Sequence, residues 1–139
     1  MSTRSTIWVQ TGNTLKGIYC HNDGYLDGVG ETLLKYYNTL EKVQELISLG
    51  SLSVLAENIK PTGGLHNFDN PQNGVTIAYH RDRGEDLEII EFDSRECSVD
   101  KFLKENLEEF NYFFIDNEWF VSMDDSLNKN KLSSLIKIS

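Results

Sequence analysis

Two turn signals, Thr11-Gly12-Asn13 near the start and Asp116-Asn117 near the end, each lie between runs whose apolar residues alternate. No other feature constrains the fold as much. Alternation places successive side chains on opposite faces of a strand, and short Gly, Asn or Asp turns join such strands into hairpins. Ile7 and Val9 alternate with Trp8 and Gln10, and Leu15 to His21 resumes the extended pattern. On that second strand Ile18 and Cys20 face one way, and Tyr19 and His21 face the other. The run NYFFIDNEWFV predicts the last hairpin.

Between the hairpins the period changes. Val29, Leu33, Tyr36 and Tyr37 are spaced for one helical face, with Asp27 as the expected cap. A second helix is predicted from a Thr39 cap through Leu40, Val43, Leu46 and Ile47 to a Gly50 stop. Ser51 to Gly74 reads as a long ordered loop, a kind of segment that tends to carry function. Val75, Ile77 and Tyr79 alternate as a strand, Arg81 to Asp86 reads as a turn, and Leu87 to Phe92 reads as the returning partner. Ser98 is the expected cap of a short helix through Phe102, Leu103 and Leu107. This order predicts an α+β fold with a largely antiparallel sheet of about six strands, built from hairpins and packed with about three helices. A single domain is expected over residues 1–124, with a docked or frayed tail over 125–139.

At 139 residues the chain is long enough to bury a core without staples. No apolar run approaches the ~20 residues of a membrane helix, and the start MSTRSTIWVQ lacks the apolar centre of a signal peptide. A cytoplasmic setting is therefore expected, with Cys20 and Cys97 as free thiols. The net charge is −9, and it is unevenly placed. From Glu85 to Asp125 there are 14 acidic residues against Arg95, Lys101 and Lys104, while the remainder is slightly basic. Such a field disfavours direct nucleic-acid binding and favours basic partners. It is equally the charge that keeps a soluble protein dispersed.

Every histidine has an aspartate close by: His21 with Asp23, His66 with Asp69, and His80 with Asp82. If the two His-x-Asp turns met, His21, Asp23, His80 and Asp82 would offer four metal ligands. The spacing is common by chance, no Cys-x-x-Cys or His-Glu-x-x-His accompanies it, and no metal or other cofactor is assigned. Cys20 and His21 point to opposite faces and cannot form a dyad, so no catalytic residue is assigned either. The loop GYLDGVG, Gly24 to Gly30, matches no phosphate-binding spacing, and Asp23 and Asp27 would oppose an anion. Arg81, Asp82, Arg83, Glu85 and Asp86 crowd one turn, either as solvated surface pairs or as a recognition surface. With Glu88 and Glu91 they form the expected partner-binding set. An alternative is a small enzyme or ligand-sequestering protein with a pocket of His21, Asp23, Tyr25, His66 and Asp69.

Two blocks carry a resemblance: Ser2-Thr3-Arg4-Ser5, with Tyr19-Cys20-His21 and Asp23-Gly24-Tyr25, and later FDNPQNGVTIAYHRDRGED. Together they resemble a group of small proteins encoded by bacteriophages and bacterial mobile elements. Asn22 and Leu26 stand where that group's pattern has an aromatic residue and a proline, and His80 stands where it has a small residue. The resemblance implies a phage or mobile-element setting, and by analogy with small acidic accessory proteins of that setting the expected function is to bind and inhibit a host defence protein of the restriction or CRISPR type. The acidic third of the chain suggests how: it would imitate nucleic acid on the partner's basic surface.

Overall fold

The computed structural model describes residues 3–61, 66–93, 108–123 and 130–132. Strands β1 (Ser5–Thr11) and β2 (Thr14–Cys20) pair antiparallel from Thr11↔Thr14 to Ser5↔Cys20. Gly12 holds φ +60° at the first turn position, a conformation in which a side chain would be strained. The last predicted hairpin also forms, as β6 (Phe110–Ile115) and β7 (Glu118–Met123). Asp116 and Asn117 both take positive φ, 51° and 62°, as a tight two-residue turn requires.

After β2 the chain makes a π-helical turn, Leu26–Gly30, that runs directly into helix α1 (Glu31–Tyr36). Asp27 lies inside that first turn, and no side chain caps it. Tyr37 is fully buried while Tyr36 is 38% exposed, so only Tyr37 faces the core. Helix α2 (Leu40–Ile47) begins as expected, with the Thr39 hydroxyl accepting from the Lys42 amide at 3.3 Å. Gly50 leaves it at φ +77°.

The two helices form a crossover, and this changes the sheet. Strand β3 (Leu52–Val54) returns beside β2 in the same direction, as a helical crossover permits and a tight hairpin does not. β1 also pairs in parallel with β6. Among the described residues the sheet is therefore mixed, with eight strands, which corrects the expectation of about six largely antiparallel strands. With β4 (Ile77–Ala78) and β8 (Asn130–Lys131), its order is β4-β3-β2-β1-β6-β7-β8, and β5 (Ile90–Asp93) also pairs with β2. β5 takes the Thr14–Gly17 half of β2, and β3 joins at Cys20.

The predicted hairpin of residues 75–79 with 87–92 does not form. β4 pairs with β3, β5 pairs with β2, and the expected turn is a short helix, α3 (Tyr79–Arg83). The cause is local: an Asp82 carboxylate oxygen accepts from the Ala78 amide at 2.8 Å, closing a helical turn where a strand would have continued. The predicted helix from Ser98, and Cys97, lie outside the described residues. From the predicted tail, Asn130 and Lys131 add to β7, and Leu132 is buried.

On one face of the sheet Val29, Leu33, Val43, Leu46 and Ile47 pack over Ile7, Val9, Ile18, Cys20, Tyr112, Phe114 and Val121. Each such side chain contributes on the order of 2 kcal/mol by leaving water. On the other face Trp8 stacks on Phe113 with centroids 6.4 Å apart, beside Leu15. Gly17 lies opposite Trp8 because the indole fills its side-chain space: an added Cβ would stand 2.2 Å from the ring. Among the described residues no helix is long and apolar enough to cross a membrane.

Candidate functional site: a tyrosine cavity with an acidic rim

The stretch from Cys20 to Tyr25 is bonded at almost every position. The His21 amide donates to the Leu52 carbonyl and the Asn22 amide to the Ser53 carbonyl, extending the contact of β2 with β3. Asp23 sits at φ 58°, and its carbonyl accepts from the Val29 amide at 2.8 Å, fixing the π-helical turn. The Gly24 amide donates to Thr3, and the Gly24 carbonyl accepts from the Tyr112 hydroxyl at 2.6 Å. The motif thus ties the N-terminal segment, the crossover and β6 together. Cys20 is fully buried, and burial pushes its thiol up to about 12, against a backbone contact with Asn22. An unionised, enclosed thiol is no nucleophile.

His21 shares the outward face of β2 with Tyr19, as the alternation predicts. Its Nδ1 lies 2.7 Å from the Tyr19 hydroxyl, so its partner is that phenol. Burial raises the Tyr19 pKa, against the opposing charge of Arg4 and with Glu108 adding to the rise. The phenol and the imidazole share one hydrogen bond.

A second network anchors α3. The Asp82 side chain is 3% exposed and meets Arg81 Nε at 2.8 Å and Nη2 at 3.0 Å. The Gln72 amide donates to His66 Nδ1 at 2.9 Å, which leaves the ring proton on Nε2, 3.3 Å from Asp82. Arg81 Nη2 is 3.5 Å from that same nitrogen, which already holds its proton toward Asp82 and does not accept. Arg81 also donates to the carbonyls of Ile59 and Thr76. Burial disfavours the Asp82 anion, but the Arg81 and Ala78 hydrogen bonds, the Arg81 charge and His66 outweigh it. Its carboxyl is held below its ordinary value of 3.8.

This network positions Tyr79, the first residue of α3. The Phe68 amide donates to the Asp82 carbonyl, and the Phe68 ring stacks on Tyr79 with centroids 5.6 Å apart. The Arg83 guanidinium covers Phe68 at 4.7 Å. In front of Tyr79 a cavity of about 290 Å³ opens, lined by Tyr19, Ser51, Tyr79, Glu85, Asp86 and Glu88. No lysine, arginine or histidine is among its described lining residues.

The expected partner-binding set therefore divides. Arg81 and Asp82 hold the loop to α3, Arg83 pairs with Glu85 at 3.5 Å, and Glu91 pairs with Lys16 at 3.9 Å across β5 and β2. Glu85, Asp86 and Glu88 rim the cavity, and the structure gives no ion pair to Asp86 or Glu88 among the described residues. The residues of the alternative pocket have separate partners. Asp23 accepts from the Tyr25 hydroxyl at 3.0 Å, Asp69 lies exposed in a turn around Asn67, and His66 meets Asp82. His80 contacts the Glu85 carbonyl, and no group of three or more His, Cys, Asp or Glu among the described residues has metal-holding geometry. The set His21, Asp23, His80 and Asp82 is thus not assembled. Tyr19, Ser51 and Tyr79 were not singled out beforehand. Only the shared face of Tyr19 and His21 hinted at the first.

No family model, curated protein or solved structure matches this chain.

Proposed function

We propose that this chain is a non-enzymatic binding protein that presents its acid-rimmed cavity to the basic surface of a partner. One observation carries the reading: three carboxylates and two phenols surround a cavity with no cation in its described lining, and among the described residues Asp86 and Glu88 have no ion-pair partner. Arg81, Arg83, Glu85 and Glu91 are paired within the described residues, so Asp86 and Glu88 are the carboxylates we assign to an incoming lysine or arginine. They also extend the acidic third of the sequence to a concave surface. In the phage or mobile-element setting that the N-terminal motifs imply, the partner is a bacterial defence protein in the host cytoplasm. The acidic rim then occupies lysines and arginines that otherwise hold nucleic acid. The alternative pocket gains no comparable support, because its residues have separate partners: Tyr25 bonds Asp23, His21 meets Tyr19, His66 meets Asp82, and Asp69 lies in the Asn67 turn.

The test is a tagged pull-down from nuclease-treated bacterial lysate, comparing the wild type with an Asp86→Asn, Glu88→Gln variant. The expected result is a stoichiometric partner that carries a nucleic-acid-binding surface, is retained by the wild type and is depleted with the variant. Equal recovery by both proteins, or no stoichiometric partner, would remove the reading.

A further inference from the structure

We infer that the cavity is an arginine receptor: it takes the guanidinium of one partner side chain, laid against Tyr79 and Tyr19 and forked onto Asp86 and Glu88. The inference rests on the binder reading and names the chemical group that the site recognises.

The lining excludes most other ligands. An anion would meet three carboxylates. An apolar group would strip water from them and return no hydrogen bond. A bare metal ion lacks a described group of three or more ligands with suitable geometry. A cation with a flat, polarisable head fits each wall. The planar guanidinium presents donors in a fork that matches carboxylate geometry and stacks on aromatic faces, whereas an ammonium is a compact, strongly hydrated point charge. At about 290 Å³ the cavity is several times the ~30 Å³ share of one water molecule, room for a guanidinium and part of its stem.

Three further features support arginine. The Tyr79 ring stacks on Phe68, whose amide is held by the Asp82 carbonyl, so the ring is pre-positioned. The chain already makes the same kind of contact next door, where the Arg83 guanidinium lies 4.7 Å above Phe68. The Tyr19 oxygen, 2.7 Å from His21 Nδ1, has two lone pairs and keeps at least one to accept from an arginine N–H whichever partner donates.

The experiment titrates the full chain, with its tyrosine rings isotope-labelled, with acetyl-Gly-Arg-Gly-amide, the lysine counterpart and a neutral citrulline counterpart. The arginine peptide is expected to shift the Tyr19 and Tyr79 ring signals. The lysine peptide should bind about three- to tenfold more weakly, and citrulline should not bind. Glu88→Gln, at an exposed site that does not threaten the fold, should weaken the arginine peptide about five- to tenfold. Absence of ring shifts, or equal binding of citrulline and arginine, overturns the inference. If the pull-down partner is captured and lost with the acidic variant while the arginine peptide leaves both rings unmoved, the binder reading stands and the arginine receptor falls. If the peptide binds with the stated selectivity but no partner is captured, the receptor stands and the wider reading falls.

Discussion

Replacing Asp82 with alanine is expected to destabilise the fold by about 3 kcal/mol, near the lower end of the range for breaking a buried ion pair. Asp82, 3% exposed, accepts from Arg81 Nε and Nη2, from the Ala78 amide and from His66 Nε2. Its loss strands all of these donors. The lower end applies because the Arg81 side chain is 26% exposed and regains some water, and because it keeps its bonds to Ile59 and Thr76. For a chain of this size the change corresponds to a fall in Tm of roughly 10 °C. Urea unfolding followed by the fluorescence of Trp8 and Trp119, both buried, measures it directly, and the m-value should be unchanged. Acid supplies a second readout. Because the folded carboxyl titrates below 3.8, its contribution is fully present above that value and is lost as pH falls through the folded pKa. Wild type and variant should therefore differ most near neutral pH and converge below pH 3.8. A destabilisation under about 1 kcal/mol, or a gap that persists unchanged into acid, would refute the claim that this network holds α3.

Other outcomes follow from the same geometry. Gly17→Ala drives a methyl to within 2.2 Å of the Trp8 ring and should cost about 1–3 kcal/mol in the same urea assay, with the near-UV signal of the indole altered. In a Cys97→Ser background, Cys20 should resist a disulfide reagent at neutral pH until the protein unfolds, since its thiol is enclosed and pushed up to about 12; rapid native labelling would contradict its burial. The Asp86→Asn, Glu88→Gln variant should melt within about 0.5 kcal/mol of the wild type, because neither side chain has a described ion-pair partner to lose. A large drop would show that these carboxylates support the fold.

Local signals in the sequence were enough to place the two tight hairpins and α2. Gly12, the Asp116-Asn117 pair and the Thr39 cap act within a few residues, and each is found doing what its chemistry predicts. The parallel pairs were hidden because a crossover and a hairpin present the same alternating strands; only the position of α1 and α2 between β2 and β3 sets the direction. Asp82 misled for a related reason. In sequence it is one more charge in Arg81-Asp82-Arg83, whereas in the fold it reaches back to Ala78 and across to His66, a residue 16 positions away. The acidic rim at Glu85, Asp86 and Glu88 was legible from charge alone. The tyrosines behind it were not, since Tyr19 and Tyr79 come together only through the pairing of β2, β3 and β4.

The most direct test of the central claim is the affinity of the purified partner for this protein across rising salt, with and without the nucleic acid that the partner normally holds. Pairing of the Asp86 and Glu88 carboxylates with basic residues predicts binding that weakens steadily as salt rises and that competes with nucleic acid. An affinity that stays flat from low to high salt, with nucleic acid and this protein bound to the partner together, would contradict the account.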